Sequence, residues 1–221
     1  MSETEKIAIL GGTGDLGTGL AIRWAKAGHE IIIGSRTLAK AQKAVDNLHK
    51  ISPDTPAQAM ENPDAASAGT LVVLTVPAEH QISTLDTVKE GLSGKILIDV
   101  TVPLVPPKVG TVQLPSEGSA GKRAQDFLGD SVTVVTAFQN VAAHLLQTDA
   151  HIECDVLVSG NKRAARKRVI ELAEQAGMCA WHAGPIENSA AVEALTSVLI
   201  QINRRHDIAH SGIKIVGQDD H

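Results

Sequence analysis

Residues 7–19 read I-A-I-L-G-G-T-G-D-L-G-T-G, and this stretch decides the fold. A short apolar run enters a glycine-rich turn, and a helical pattern of apolar residues follows. Gly12, Gly14 and Gly17 have the spacing G-x-G-x-x-G, in which the first glycine permits a tight turn, the second lets the backbone approach a pyrophosphate, and the third packs helix on strand. Phosphates bind at the unpaired N–H groups and positive dipole end of a helix N-terminus. The stretch therefore predicts a dinucleotide-binding strand, turn and helix.

Strand and helix patterns alternate along the rest of the chain. Strands are expected at residues 30–36, 70–76, 95–100, 132–136, 155–159 and 178–181, and helices at 37–49, 63–68, 162–175 and 188–203, with a further helix that Ser116 or Ser119 caps and that ends near Leu128. Residues 51–69 are expected to wrap an edge of the sheet. The alternation predicts an α/β fold, a Rossmann-type doubly wound parallel sheet with a small helical C-terminal region.

We expect residues 1–183 to form the dinucleotide-binding domain and residues 184–221 to complete the substrate cleft. The C-terminal helix is rich in small residues, so it should pack over the mouth of the sheet or against a second subunit.

The end of the second predicted strand distinguishes NAD from NADP. An NAD site places an acidic residue about twenty residues after the turn, where it holds the ribose 2′-hydroxyl. This chain instead has Ser35 and Arg36, with Lys40 one helical turn further on. A hydroxyl and two cations would bind a 2′-phosphate through charge-assisted hydrogen bonds, so NADP(H) is expected. A solvated basic start to the next helix would explain the cations but not the missing acid.

Other strand ends should face the same site. Val76 ends the third predicted strand, and His80 lies in the first turn of the helix that Pro77 opens, so both are expected near the cofactor. A surface or capping role is the alternative for His80. The proline-rich loop 101–115 is suited to walling a pocket.

Composition excludes several classes of function. The 221 residues are 43% hydrophobic and 20% charged, which indicates a globular chain, and the net charge of −5 disfavours a nucleic-acid partner. No apolar run approaches the roughly 18 residues of a membrane span. The acidic start, M-S-E-T-E-K, is unlike a signal peptide, so a cytoplasmic protein is expected.

Metal and thiol chemistry is not expected. Cys154 and Cys179 are far apart and form no C-x-x-C motif. His206, His210 and His221 lack a carboxylate in a metal-binding register.

The chain contains no tyrosine, which excludes the tyrosine proton donor of short-chain dehydrogenases. Carbonyl reduction needs a proton donor, and the predicted pocket loops offer only Thr136, Gln139 and Asn140, which orient and polarise a substrate. Hydride transfer to a second flat heterocycle mainly requires that two rings stack within reach. We therefore predict no catalytic side chain and favour a flat, electron-poor acceptor.

Several segments together resemble the NADPH-dependent coenzyme F420 reductases, also called F420H2:NADP oxidoreductases. They are the glycine-rich opening, I-I-I-G-S-R with Lys40, T-V-P-A-E-H, S-E-G-S-A-G, and the final A-G-P-I-E-N-S-A-A-V-E-A-L-T followed by G-I-K. The likeness spans nearly the whole chain. It implies reversible hydride transfer between NADP(H) and the deazaflavin coenzyme F420, with the two rings stacked in a cleft, and a homo-oligomer in which a dimer is favoured.

The resemblance also implies which residues contact the two coenzymes. The phosphates would lie at Thr13, Gly14, Asp15 and Leu16, the 2′-phosphate at Ser35, Arg36 and Lys40, the nicotinamide along Val76, His80, Val105 and Ala143, and the deazaflavin at Ser211. The sequence departs from the best-known archaeal members at Gln139, where they have a histidine, and at Ala190, where they have an arginine.

Two other functions stay open from the sequence. One is an NADPH-dependent reductase of another flat or metal-bound acceptor, such as a flavin or a ferric chelate. The other is a non-catalytic module that senses NADP(H).

Overall fold

The computed structural model describes residues 4–217, and within them eight strands form one sheet in the order β3-β2-β1-β4-β5-β6-β7-β8. The strands are β1 (Lys6–Leu10), β2 (Glu30–Ser35), β3 (Ala57–Glu61), β4 (Leu71–Leu74), β5 (Ile96–Asp99), β6 (Thr133–Thr136), β7 (Val156–Gly160) and β8 (Ala180–Gly184). The helices are α1 (Asp15–Lys26), α2 (Leu38–Ile51), α3 (Asn62–Ala68), α4 (Gln81–Leu92), α5 (Ala120–Leu128), α6 (Ala143–Leu146), α7 (Arg163–Gln175) and α8 (Ser189–His206).

The predicted α/β fold is confirmed, with one reversal of strand direction. Neighbouring strands pair in parallel except β6 and β7, which are antiparallel. The connection between them, residues 137–155, contains only the four-residue α6 and no crossover helix. A parallel pairing needs such a crossover, so β7 starts at the end of the sheet where β6 finishes.

Helices cover both faces of the sheet, which explains why the central strands are apolar on both sides. One core cluster joins the sheet to α1, α2 and α7 and includes Trp24, Val45 and Leu172. The other joins it to α3, α4 and α5 and includes Leu85 and Ala124. The fully buried indole of Trp24 donates to the carbonyl of Leu172 at 2.9 Å, so its polar atom is satisfied.

The C-terminal region begins with a short 3₁₀ turn at Ile186–Asn188 and continues into α8, which packs on α5 and β7. Asp207 ends α8 in a left-handed conformation (φ 53°), and residues 208–217 continue without regular structure. The division of the chain at residue 183 stays a prediction, and residues 218–221 lie outside the described part. Nowhere in residues 4–217 is a helix both long and apolar enough to cross a membrane.

Candidate functional site

The turn between β1 and α1 is built from glycines. Gly11 has a left-handed backbone (φ 70°), and a Cβ there would lie 2.7 Å from Val76 Cγ1. The N–H of Gly12 donates to the carbonyls of Ile9 and Gly34, each at 3.2 Å, and a Cβ on Gly12 would lie 2.7 Å from the Ile9 oxygen. The left-handed residue is therefore Gly11, one position before the glycine to which the motif assigns the turn, and Gly12 is required by close backbone packing.

The other two motif glycines have different surroundings. A Cβ on Gly17 would lie 2.7 Å from the Cα of Gly12 and 2.8 Å from Thr75 Oγ1, so only glycine lets α1 pack this closely on the turn. A Cβ on Gly14 would meet nothing nearer than the Gly11 oxygen, at 3.8 Å. Gly14 is the N-cap of α1 and has no side chain to accept from the first-turn amides. The start of α1 therefore faces open space with donors for an external anion.

The end of β2 carries one buried hydroxyl and two exposed cations. Ser35 is buried, whereas Arg36 and Lys40 are exposed. Within residues 4–217 neither cation forms an ion pair or a side-chain hydrogen bond. Their charges are thus uncompensated by the protein and can bind a phosphate.

Asn62, the first residue of α3, supports both of these turns, although it belongs to no motif of the sequence. Its buried Oδ1 accepts the N–H of Gly11 at 3.4 Å and would lie 2.9 Å from a Cβ on Gly34. The contact spans 51 residues of sequence, so local patterns do not reveal it. The only local signal is Pro63, which favours a helix start at this point.

These elements surround a cleft of about 590 Å³ at the carboxyl ends of β1, β2, β4 and β5, a size usual for ligand sites. It is lined by ten of the residues expected to bind cofactor, namely Thr13, Gly14, Asp15, Leu16, Ser35, Arg36, Lys40, Val76, His80 and Ala143. Gly12, in the turn, and Gly17, in α1, do not line it. Val105 is 47% exposed on the loop just outside the cleft, and Ser211 lines a separate depression.

The far wall of the cleft comes from the proline-rich loop, as expected, and from the end of β4. The residues that line it without having been predicted individually to bind cofactor are Thr75, Pro77, Ala78, Ser83, Thr84, Val100, Thr101, Val102 and Leu104. Most of these side chains are apolar or carry a neutral hydroxyl. We call residues 100–119 the wall loop.

A buried carboxylate fixes the start of the wall loop. Asp99 is 1% exposed, its Oδ1 accepts the N–H of Thr101 at 2.9 Å, and its Oδ2 accepts from the side-chain amide of Gln81. Gln81 in turn accepts from Arg123 Nε at 2.8 Å. Burial raises the pKa of Asp99, and the hydrogen bonds from Thr101 and Gln81 oppose that rise.

A second buried carboxylate fixes the end of the wall loop. Glu193 reaches from α8 to the start of α5, where it accepts the N–H groups of Ala120 at 2.7 Å and of Gly121 at 2.9 Å. Ser119 caps the same helix, as one of the two expected serines. Burial raises the pKa of Glu193 to about 7, against the opposing effect of the two amide donors.

Ala143, on the opposite side of the cleft, begins α6, and Arg23 of α1 holds that helix in place. The guanidinium donates at 2.7 to 3.1 Å to the carbonyls of Leu145, Leu146, Thr148 and Ala150. Four backbone acceptors leave Arg23 little freedom, so the end of α6 and the residues after it are fixed beside the last turn of α1.

A second depression of about 300 Å³ has no lining residue in common with the cleft, but its lining includes Ala142. Ala143 lines the cleft, and its neighbour Ala142 lines the depression together with His210 and Ser211. The two cavities therefore share one stretch of backbone.

Gln139 and Ala190 are the two positions at which the sequence departs from the archaeal pattern. Gln139 is buried, its Nε2 donates to the carbonyl of Asp99 at 3.0 Å, and its Oε1 has no partner within residues 4–217. Phe138 beside it has a left-handed backbone (φ 71°) and packs edge-on against Trp24. Ala190 is half-buried on α8. Gln139 thus links the ends of β5 and β6.

In residues 4–217 no group of three His, Cys, Asp or Glu side chains is arranged to hold a metal, and His221 lies outside that part. His210 instead contacts His144, with ring centroids 3.4 Å apart. Burial and the neighbouring His144 lower the pKa of His210.

Comparison with known proteins supports one family. Residues 6–103 match the family described as NADP oxidoreductase, coenzyme F420-dependent. The chain is 42% identical over 219 residues to the F420-dependent NADP reductase of Methanothermobacter thermautotrophicus, with 95% of this chain and 94% of that protein covered. The F420-dependent NADP reductase of Methanocaldococcus jannaschii is also 42% identical, with coverage of 95% and 97%.

A solved structure gives the same result. The crystal structure from Arthrobacter sp. FB24, described as an F420-dependent NADP-reductase, superposes with a TM-score of 0.81 at 28% identity, over 96% of this chain and 100% of that one. On sequence likeness along nearly its whole length, the chain belongs to the F420-dependent NADP oxidoreductase family.

Proposed function

We propose that the protein catalyses reversible hydride transfer between NADP(H) and the deazaflavin coenzyme F420. NADPH supplies the hydride and F420 takes it up with one proton, so that NADPH, H⁺ and F420 become NADP⁺ and F420H2. The observation that carries the proposal is the uncompensated pair of cations, Arg36 and Lys40, in a cleft that also contains a helix N-terminus. Family membership supports the identity of the second coenzyme.

The turn and the start of α1 would hold the pyrophosphate. A Cβ on Gly14 would enter open space at the helix N-terminus, which is the space a phosphate would need. The N–H groups of Thr13, Asp15 and Leu16 would then serve as donors, together with the helix dipole, whereas the N–H of Gly14 donates to the carbonyl of Gly11.

The 2′-phosphate would bind at the end of β2. Ser35 offers a hydroxyl, and Arg36 and Lys40 offer charge-assisted donors on the same side of the cleft. An acid at this position would repel the phosphate, so these three residues favour NADP(H) over NAD(H).

The far end of the cleft would enclose the nicotinamide. Val76, Val102, Leu104 and Ala143 present apolar surface that would exclude water from the reacting ring. His80, half-exposed at the cleft, would contact the dinucleotide. We assign no catalytic side chain, since the residues here position the ring rather than exchange protons.

The acceptor would occupy the side of the cleft that faces the second depression. Ser211 and His210 give that depression polar atoms, and the neighbouring residues Ala142 and Ala143 line the depression and the cleft, respectively. Val105 is exposed on the wall loop, where a ligand arriving from solvent could contact it.

We further infer that the protein acts in the cytoplasm on small-molecule coenzymes and has no nucleic-acid or membrane partner. We also infer that it is a homodimer. The face of α8 exposes Val198 (42%) and Ile202 (36%), and Val216 beyond it is 89% exposed. Such apolar surface is typical of a self-complementary interface. Light scattering on a column should give twice the chain mass of 23.2 kDa, and Val198→Asp should give a monomer.

Visible absorbance tests the reaction. Purified protein mixed with NADPH and oxidised F420 should bleach the deazaflavin band, and NADH should act much more slowly. Bleaching of flavin or reduction of a ferric chelate, with F420 untouched, would support the other reductase function. NADPH binding without turnover of any acceptor would support the sensing module.

A further inference from the structure

The C-terminal tail, residues 207–217, is fastened to the start of β7. The backbone N–H of Asp155 donates to the carbonyl of Ile213 at 2.7 Å. In return the N–H of Ile215 donates to Asp155 Oδ2 at 2.9 Å. Ile213 and Ile215 of the tail are therefore both hydrogen-bonded to Asp155, the residue just before β7.

A single carboxylate holds this attachment. The Asp155 side chain is 1% exposed and also accepts from Lys214 Nζ at 3.0 Å and from the indole N–H of Trp181 at 2.8 Å. Burial disfavours the charged carboxylate, but hydrogen bonds from Ile215, Lys214 and Trp181 outweigh it and hold the pKa of Asp155 below its usual value. The carboxylate is charged at neutral pH, and a buried charge is stable only while its partners stay in place.

The fastened tail fixes the residues that line the second depression. Ser211 donates its N–H to Asn203 Oδ1 at 3.0 Å and its hydroxyl to the carbonyl of Leu199 at 3.4 Å. Gly212 lies so close to Cys154 that a Cβ would be 2.9 Å from the sulfur. Without the Asp155 carboxylate, the tail would lose the hydrogen bonds from Ile215 and Lys214 and keep these contacts and the backbone hydrogen bond to Ile213.

The tail also touches the wall that the depression shares with the cleft. The His210 ring lies against His144, which follows Ala143 in α6. The tail therefore contacts α6, whose first residue, Ala143, lines the cleft.

We propose that Asp155 and Lys214 are positioning residues for the hydride acceptor, because they hold the tail so that Ser211 and His210 form the acceptor-side wall. The inference rests on the proposed function, since it takes F420 as the ligand of that wall. Neither residue lines the cleft or the second depression, so both act through the tail.

Lys214→Met tests the inference, because it removes the ammonium group, keeps most of the length of the side chain and leaves Asp155 with its two N–H donors. The KM for F420 should rise about fivefold, with kcat and the KM for NADPH unchanged. Amide hydrogen exchange of the protein without coenzymes should accelerate by a similar factor at Ser211 and Ile215, but not in β1 or α1. Lys89→Met is the matched control, since it removes a lysine paired with Asp86 at 2.9 Å on α4, away from the tail.

Asp155→Asn should give a larger change in the same direction, because an amide cannot accept from all three donors. If Lys214→Met had the same KM for F420 and the same hydrogen exchange as the wild type, the inference would be overturned. The proposed function would still hold in that case, provided that the native protein turned over F420. Equal increases in both KM values would also overturn the inference. A native protein that does not turn over F420 would instead contradict the proposed function, and with it the acceptor role of the tail.

Discussion

Arg36 and Lys40 show how a single pair of side chains can select a coenzyme. Both point into the cleft from the end of β2, and within residues 4–217 neither is neutralised by a carboxylate. The energy of binding a phosphate there is not reduced by breaking an existing ion pair. The preference for NADP(H) should therefore be sensitive to the charge at these positions.

Arg36→Glu should weaken NADPH binding by about tenfold to a hundredfold, the effect of losing a hydrogen bond to a charged group of about 1.5 to 3 kcal/mol. NADH lacks the 2′-phosphate, so its affinity should change little. Isothermal titration with both nucleotides measures the difference. Lys43→Glu makes the same charge change on α2 outside the cleft and should leave both affinities near wild type. Equal losses for NADPH and NADH would refute the assignment of Arg36.

Glu193 should make stability depend on pH. Its pKa is about 7 in the folded protein against 4.5 in the unfolded chain, so the folded state binds the proton more tightly. This contribution to stability is complete below pH 4.5 and is lost as the pH rises through 7; it amounts to about 3 kcal/mol.

Glu193→Gln cannot titrate, so its free energy of unfolding should fall less than that of the wild type between pH 5 and pH 8. Urea unfolding of both proteins across that range measures the two slopes. The comparison cancels the contributions of groups that do not interact with Glu193. Parallel curves would show that Glu193 does not change its protonation on unfolding.

In the turn between β1 and α1 and in α1 itself, two glycines have different roles. Gly17 gives α1 its close approach to the turn, whereas Gly14 leaves room at the helix N-terminus. Stability and binding should therefore respond separately to substitutions at these positions.

Gly17→Ala should destabilise the fold by about 1 to 3 kcal/mol, because its Cβ would overlap the backbone of Gly12. Gly14→Ala should cost less than about 1 kcal/mol, since its Cβ meets no atom of the turn, yet it should reduce affinity for NADP. Thermal unfolding and nucleotide titration of both variants separate the two effects. Similar stability losses in the two variants would contradict this division.

The elements that the sequence predicted are those with a local signal. Apolar runs located β1, β2, β4 and β5, and Ser119 was one of two expected caps for α5. β3 was expected only as a wrapping segment, because A-Q-A-M-E is polar and partly exposed at the edge of the sheet. The reversal at β7 also had no local signal, since the period of a strand does not encode its direction.

In the molecule as a whole, the residues of the site were also predictable only where a local sequence pattern exists. Glycine spacing and the basic end of β2 could be read from the sequence because each is contained in a few consecutive residues. Asn62 could not, because it contacts Gly11 across 51 residues. Glu193 likewise reaches Ala120 across 73 residues, and such pairings exist only once the sheet has formed.

Because the cleft joins the ends of four strands to α6, a bound dinucleotide should stabilise the whole fold. NADP⁺ at about a hundred times its Kd should add about 2.7 kcal/mol to the free energy of unfolding, which for a chain of this size raises Tm by about 5 to 10 °C. NAD⁺ at the same concentration should raise Tm much less, and Arg36→Glu should lose most of the increase with NADP⁺. Scanning fluorimetry measures all three. An equal increase in Tm with NAD⁺ and NADP⁺ would mean that the end of β2 does not bind the 2′-phosphate, since only that group distinguishes the two ligands.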